Sequence, residues 1–147
     1  MKDANLAYRD EFARTTLDHR RLSADDAHLP ARVLIVDDAP VFRQAARELL
    51  ERRGYTVVGE ADSAASAMDA VKRLAPDAVL LDLRLPDADG FDLSAALVRA
   101  RPELSVLLAS ADRAVPSPAR VRASGARGFV LKSRLAATDL SEFWPSP

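Results

Sequence analysis

Five polar residues that could carry chemistry follow short apolar runs of the chain. The first run is followed by Asp37 and Asp38, the third ends in Asp82, the fourth in Ser110, and the fifth is followed by Lys132. Three carboxylates in one pocket would repel one another, and their pKa values would rise unless a cation lay among them. A divalent cation with oxygen ligands, Mg²⁺ for preference, relieves that repulsion. A carboxylate nucleophile, a metal ion, an ammonium group and a hydroxyl are together what phosphoryl transfer requires.

The apolar runs have the length and the β-branched content of buried parallel strands. They cover residues 33–36, 55–60, 78–82, 106–109 and 128–131. Segments with helical spacing lie between them, and Pro40 and Gly54 mark the start and the end of the first. Pro116 and Pro118 restrict the helix predicted over 115–124 to its later part. A last helix is predicted over 134–143.

This alternation of strands and helices predicts the α/β class, with a doubly wound, five-stranded parallel sheet and helices on both faces. Ligands of such sheets gather at the carboxyl ends of the strands. The five polar residues fall at that edge. If the first and third strands are neighbours, the three carboxylates share one pocket.

The length of 147 residues predicts one main domain. Residues 1–30 are polar and without a clean period, and we expect an N-terminal extension that is partly helical or disordered. Residues 31–143 form the predicted domain and 144–147 a short C-terminal tail. The sequence leaves open whether Trp144 packs against the domain or against a partner.

Composition argues against several classes of protein. The 21 Lys and Arg nearly balance the 22 Asp and Glu, which favours neither a nucleic-acid nor a membrane partner. The chain has no cysteine, so disulfides and thiolate sites are excluded. It begins without the apolar segment of a secretory signal, and no apolar run approaches the roughly 20 residues that span a bilayer. We therefore expect a cytoplasmic protein.

Two longer motifs complete the pattern. They are Asp-Leu-Arg-Leu-Pro-Asp-Ala-Asp-Gly over 82–90 and Gly-Ala-Arg-Gly-Phe-Val-Leu-Lys over 125–132. Together with the acidic pair and Ser110, in this order and spacing, they resemble the response-regulator receiver domain of two-component phosphorelays. The resemblance covers residues 31 to 142. It implies a flavodoxin-like fold with strand order 2-1-3-4-5.

The resemblance also implies a metal-dependent phosphoacceptor. Asp82 would be the residue that accepts the phosphoryl group. Mg²⁺, with Mn²⁺ as a substitute, would be bound by Asp38 and Asp82 and by the backbone carbonyl of Arg84. Asp37 would contribute through water.

Further roles follow from the same resemblance. Lys132 and Ser110 would bind the phosphoryl group, and Phe129 would turn inward behind Ser110 as a switch. Arg84 and Asp112 would modulate the lifetime of the phosphorylated state. The chain would not be an enzyme beyond promoting its own phosphotransfer and dephosphorylation.

Signalling would use a face made of the fourth helix, the fifth strand and the fifth helix. Arg120, Arg122 and Arg127 lie on this face, either as a docking site for an acidic partner or as a solvated surface. The implied phosphodonor is a histidine kinase or a histidine phosphotransfer protein, and the downstream partner is unknown. We expect no DNA-binding domain in this chain, no membrane association, and a phosphorylation-dependent homodimer as one form of output.

The family often has a cis proline after the lysine, where this chain has Ser133.

The sequence also allows interpretations other than a phosphorylated receiver domain. Asp37 and Asp38 could cap the first helix. A phosphatase of the haloacid-dehalogenase type would need a second Asp two residues after its nucleophile, and Arg84 occupies that position. A flavodoxin-like anion binder is disfavoured by the acidic pair. A phosphorylation-independent interaction module and a phosphate sink keep the same fold.

Overall fold

Five parallel strands form one sheet in the order β2-β1-β3-β4-β5, as predicted. The computed structural model describes residues 29–147, so most of the predicted N-terminal extension lies outside the described residues. The strands are β1 (Arg32–Val36), β2 (Thr56–Ala61), β3 (Ala78–Asp82), β4 (Ser105–Ser110) and β5 (Gly128–Leu131). The three central strands are buried almost throughout, because helices or turns cover both faces of the sheet.

Four α-helices connect the strands. They are α1 (Pro40–Arg52), α2 (Ala64–Leu74), α3 (Gly90–Ala100) and α4 (Pro118–Ala123). Helix α1 packs on the face of the sheet that carries Val33 and Ile35. The other three helices pack on the face that carries Leu34 and Val36. Alternate residues of β1 thus serve two separate hydrophobic cores, as strand geometry requires.

The helix starts follow local sequence signals. Pro40 is the first residue of α1, and Pro118 the first residue of the short α4. The Ser117 side chain caps α4 by accepting a hydrogen bond from the backbone N–H of Arg120. The prolines therefore confine α4 to the later part of its segment, as predicted.

The predicted last helix over 134–143 is wrong. Two 3₁₀ helices, Lys132–Ala137 and Leu140–Glu142, occupy this stretch. The backbone of Thr138 is extended between them, and the Asp139 side chain caps the second by accepting from the N–H of Ser141. Side chains of Thr and Asp compete for backbone hydrogen bonds in this way and interrupt a helix.

Trp144, whose packing the sequence leaves open, packs against the domain itself. Its side chain is 1% exposed and meets the Tyr55 ring edge-on, with ring centroids 5.5 Å apart. Leu140 and Phe143 are buried in the same core. The C-terminal segment thus covers the α1 side of the sheet without an α-helix.

The turn from β3 into α3 depends on Gly90. A Cβ atom at this position would lie 2.5 Å from the carbonyl oxygen of Asp82 and 2.6 Å from Cα of Leu83. Only glycine permits so close an approach of two backbone segments. The first residue of α3 is therefore packed directly against the end of β3.

None of the helices described for residues 29–147 combines the length and the hydropathy that a membrane-spanning helix requires.

Candidate functional site

Three carboxylates meet at the carboxyl edge of the sheet. Asp37 and Asp38 follow β1, and Asp82 ends the neighbouring β3. These residues lie side by side, because Val36 pairs with Leu81 in the register of the two strands. One carboxylate oxygen from each of the three lies within 4.8 Å of the others. Asp37 and Asp82 are buried, and Asp38 is exposed. The structure therefore brings together the three residues that the sequence analysis selects as metal ligands.

Several hydrogen bonds hold the loop that carries the acidic pair. Asp37 accepts a hydrogen bond on Oδ1 from the N–H of Ala39, at 2.8 Å, and its own N–H donates to the carbonyl of Ala61. Arg43 donates from Nη1 to the carbonyl of Asp37 at 2.6 Å and pairs through Nε with Glu60 at 3.0 Å. The Asp37 side chain thus turns into its own loop, while Asp38 remains open to solvent. Ala39 is the N-cap residue of α1, and no side chain caps this helix, so the alternative that Asp37 and Asp38 cap it is wrong.

Lys132 enters the cluster from the end of β5. Its Nζ lies 2.6 Å from Oδ2 of Asp37 and 3.5 Å from Oδ2 of Asp82. The ammonium also lies 4.4 Å from the centroid of the Phe42 ring. A cation over an aromatic face is attracted by the ring, more strongly where both are shielded from water. Phe42 is not among the predicted site residues, because its helical spacing predicts only a core position on α1.

The peptide bond between Lys132 and Ser133 is trans, as are all those of residues 29–147. Lys132 begins the first 3₁₀ helix immediately after β5. A trans bond at this point is therefore compatible with an ammonium group that reaches both buried carboxylates.

The environment of Asp82 disfavours its ionised form. Burial raises the pKa of Asp82, the negative charge of Asp37 raises it further, and the positive charge of Lys132 acts in the opposite direction. A hydrogen bond from the backbone N–H of Arg84, at 3.4 Å, also favours the carboxylate. A second cation near Asp82 would therefore stabilise its ionised form.

The donor set fits a hard divalent cation. All three clustered side chains offer carboxylate oxygens, the ligand type that Mg²⁺ and Mn²⁺ take in proteins. Two of the three are buried near a single lysine, so the negative charge exceeds the positive charge that the described side chains supply. The acidic cluster is thus chemically suited to the metal ion that the sequence predicts.

Ser110 and Asp112 form the opposite rim of the site. Ser110 is buried, and its Oγ accepts a hydrogen bond from the N–H of Asp112 at 3.0 Å. Asp112 in turn pairs with Arg84, whose Nη2 lies 2.7 Å from Oδ2. The Arg84 and Asp112 side chains are 79% and 43% exposed. An ion pair therefore joins the loop after β3 to the loop after β4.

The remaining predicted residues lie on α4, on β5 and in the turn between them. Phe129 is half-buried on β5 and packs against the core beneath α2, α3 and α4. Arg120 and Arg122 are exposed on α4, and Arg127 is half-buried before β5. The Arg120 guanidinium lies 4.2 Å from the centroid of the Phe91 ring. Two of the three arginines therefore belong to α4, and the third lies in the turn between α4 and β5.

Known proteins resemble the chain over the same region. The family model described as the response regulator receiver domain matches residues 33–142. Chemotaxis protein CheY of Thermotoga maritima is 32% identical over 101 residues, which are 69% of this chain and 84% of that protein. Response regulator GacA of Pseudomonas viridiflava is 34% identical over 102 residues, 69% of this chain and 48% of that protein. The chain thus spans about half the length of relatives such as GacA.

A solved structure agrees with these sequence matches. A LuxR-family two-component response regulator from Aurantimonas sp. SI85-9A1 superposes with a TM-score of 0.68 at 33% identity, over 74% of this chain and 78% of that one. The region that the family model matches contains four of the strands completely, β1 from Val33 onward, and the three clustered carboxylates.

Proposed function

Because the chain belongs to the family of response regulator receiver domains, we propose that Asp82 accepts a phosphoryl group from a histidine kinase or a histidine phosphotransfer protein. Receiver domains of two-component systems are phosphoacceptor switches. The observation that carries the proposal is the cluster of Asp37, Asp38 and Asp82 with Lys132 beside it. No other acidic group among the described residues has this combination of burial, neighbouring carboxylates and a lysine.

In the proposed reaction a carboxylate oxygen of Asp82 attacks the phosphorus of a phosphohistidine. The new O–P bond forms as the P–N bond breaks, and the imidazole nitrogen of the donor keeps the electron pair of the broken bond. Asp82 must be ionised to attack, so the groups that oppose its raised pKa assist this step. The product is an acyl phosphate on Asp82.

Asp38 and Asp82 would hold Mg²⁺ directly, with the backbone carbonyl of Arg84 as a further ligand and Asp37 acting through water. When bound, the ion supplies positive charge that neutralises the carboxylates and the phosphoryl oxygens. Mn²⁺ would serve as a substitute because it takes the same oxygen ligands. The exposure of Asp38 beside buried Asp82 leaves this side of the cluster open to solvent.

Phosphorylation would rearrange the groups around the acceptor. Lys132, now 2.6 Å from Asp37, would pair with the acyl phosphate. Ser110 would give up the hydrogen bond that it accepts from Asp112 and turn its hydroxyl toward a phosphoryl oxygen. Half-buried Phe129 would then turn inward behind Ser110. A new negative charge would in this way alter a distant surface.

The Arg84–Asp112 ion pair would modulate the lifetime of the acyl phosphate, because it lies between the two loops that flank Asp82. Breaking it in Arg84→Ala or in Asp112→Ala would change how readily water reaches the site. Output would pass through the face formed by α4, β5 and the first 3₁₀ helix. Arg120, Arg122 and Arg127 would contribute positive charge there for an acidic partner.

The intact mass of the protein after incubation with acetyl phosphate tests the proposal. We expect a phosphoryl increment that requires Mg²⁺ and is absent in Asp82→Asn. Asp77→Asn, at an exposed carboxylate before β3, is the matched control and should keep the increment. If no increment appears after rapid quenching, with a histidine kinase as donor, phosphoacceptance is excluded. The chain would then act as a phosphorylation-independent interaction module.

A phosphate sink remains the second version of the same chemistry. It would accept the phosphoryl group on Asp82 without any change at the face formed by α4, β5 and the first 3₁₀ helix, here called the α4 face. Comparing the amide spectrum of residues 118–131 before and after phosphorylation distinguishes the two. A switch shifts these signals, whereas a sink leaves them in place.

A further inference from the structure

Asp87 makes a contact that joins the loop after β3 to another helix. Its Oδ1 accepts a hydrogen bond from the N–H of Ala64 at 2.7 Å, and its Oδ2 accepts one from the N–H of Ala65 at 3.1 Å. Ala64 and Ala65 are the first two residues of α2. These two bonds lower the pKa of Asp87, although the carboxylate is exposed to solvent. The contact spans more than 20 residues of sequence and belongs to the tertiary structure.

Helix α2 does not need Asp87 as its cap. Ser63 already accepts a hydrogen bond from the N–H of Ser66, and the Ser66 hydroxyl accepts from the N–H of Ser63. This capping box leaves the N–H groups of Ala64 and Ala65 without intrahelical acceptors. Asp87 takes both of them, and the positive end of the helix dipole favours its charge. The helix is thus capped twice, once by its own residues and once by the loop after β3.

The same loop carries the predicted carbonyl ligand. Its base is held near the acceptor, because Gly90 donates from its N–H to the carbonyl of Leu83 at 2.8 Å. Arg84 and Asp89 face each other in an isolated antiparallel bridge. Asp87 lies at the tip and ties it to α2. The backbone of Arg84 is therefore held between an anchor at the end of β3 and an anchor at α2.

We propose that Asp87 is a positioning residue that fixes the loop of residues 83–89 against α2 and so orients the backbone of Arg84 toward the metal site. The effect on Mg²⁺ rests on the proposed function, whereas the effect on loop order does not. Asp87 binds neither metal nor substrate; it acts through the loop. Thermodynamic linkage makes the effect reciprocal. If the Asp87 contact strengthens Mg²⁺ binding by some factor, bound Mg²⁺ strengthens the Asp87 contact by the same factor.

Asp87→Ala should weaken Mg²⁺ binding and loosen the loop. Groups that hold a metal ligand in place commonly change affinity by 10–100-fold, and because Asp87 is exposed we expect about a threefold to tenfold loss. The amide protons of residues 83–89 and of Ala64 and Ala65 should exchange faster with solvent. Asp87→Asn keeps one side-chain oxygen and should lie between Asp87→Ala and the wild type.

Two controls separate this role from helix stability and from net charge. Ser63→Ala weakens the capping box of α2 but leaves the Asp87 contacts, so it should lower thermal stability without changing Mg²⁺ affinity. Asp69→Ala removes an exposed carboxylate from the same helix and should leave both quantities unchanged.

Titrating the ¹⁵N-labelled wild type and variants with MgCl₂ measures their Mg²⁺ affinity. Amide exchange of the metal-free and metal-bound forms then measures the order of the loop. The expected result is weaker binding and faster loop exchange in Asp87→Ala, a smaller change in Asp87→Asn, and neither change in Ser63→Ala or Asp69→Ala. Wild-type affinity in Asp87→Ala overturns the positioning role, and unchanged loop exchange overturns the anchor itself. If the wild type does not bind Mg²⁺, the proposed function fails, and the exchange of the metal-free proteins still decides whether Asp87 anchors the loop.

Discussion

Single residues of the site are arranged so that negative charge is incompletely balanced. Three carboxylates face one ammonium group, and Lys132 lies closer to Asp37 than to Asp82. Asp82 is therefore the buried carboxylate that is less well neutralised, and its pKa is raised. Under the proposed function, an incoming cation or phosphoryl group would meet carboxylates and an ammonium group that are already held, by the backbone contacts of Asp37 and by the Phe42 ring.

Tyr55 allows a pH prediction away from the site. Burial raises the pKa of its phenol, the charge of Asp139 raises it further, and Arg53 opposes both. The folded state thus favours the neutral phenol, so the stability that Tyr55 contributes is present below its unfolded pKa of about 10. It is lost as the pH rises through the higher pKa of the folded protein.

Tyr55→Phe should consequently lose less stability than the wild type between pH 8 and pH 11. Urea unfolding at several pH values measures the difference. Parallel curves for the two proteins over this range would contradict the assignment to Tyr55.

At the scale of secondary-structure elements, the register of the strands and one glycine position Asp82. Asp82 pairs with Ala109 across β3 and β4, and the N–H of Leu83 donates to the carbonyl of Ala109. Gly90 brings the start of α3 into contact with the backbone of Asp82 and Leu83. The end of β3 is therefore enclosed by backbone on two sides, which limits movement of the Asp82 backbone.

Gly90→Ala should destabilise the protein by about 1–3 kcal/mol, the usual cost of inserting a methyl group into packed structure, and should slow phosphorylation of Asp82. The new Cβ would meet backbone atoms, which cannot rotate away. Gly59→Ala is the matched control, because its Cβ would meet the ends of side chains, Cδ1 of Leu74 at 2.6 Å and Cδ1 of Leu34 at 3.6 Å, and no backbone atom. Chemical denaturation and the acetyl phosphate assay measure both effects. Equal losses in the two variants would count against the backbone argument.

At the scale of the whole molecule, the C-terminal segment closes one face of the sheet. Arg53, beyond the end of α1, donates hydrogen bonds to the carbonyls of Ala136 and Thr138. Trp144 and Tyr55 pack edge to face beneath this segment. The two contacts attach the segment to α1 and to the start of β2. Its removal would therefore expose the core on that side.

Trp144→Ala should cost about 3–5 kcal/mol of unfolding free energy, the range for truncation of a buried large aromatic residue. Trp144→Phe should cost less, because it keeps an aromatic ring against Tyr55. Denaturant unfolding of the three proteins checks the order. A loss below about 1 kcal/mol in Trp144→Ala would show that the segment contributes little to the fold.

The α4 face carries the prediction for partner binding. Reversing two charges with Arg120→Glu and Arg122→Glu should weaken capture of an acidic partner and leave phosphorylation of Asp82 unchanged, because neither arginine belongs to the acidic cluster or pairs with it. The control pair Arg52→Glu and Arg73→Glu changes net charge equally on other helices. Pull-down of the phosphorylated protein provides the readout. Unchanged capture in the Arg120/Arg122 variant would rule out this face as an acidic-partner site.

Strand periodicity and the order of strand-end residues were enough to predict the sheet, its class and the clustering of Asp37, Asp38 and Asp82. These features follow from patterns along the chain, because parallel strands place their carboxyl ends at one edge. The last helix was mispredicted, since the spacing of its apolar residues resembles that of a helix. Local hydrogen bonding by Thr138 and Asp139 overrides that spacing.

Other features depend on distances between segments far apart in the chain. The sequence names Lys132 as a site residue, but only the tertiary structure shows it between Asp37 and Phe42. The burial of Trp144 against Tyr55 and the attachment of Asp87 to α2 are of the same kind. Residue type and local spacing determine which groups can react and which strand carries each. The contacts between elements decide how those groups are oriented, because a side chain's partners are set by packing in three dimensions.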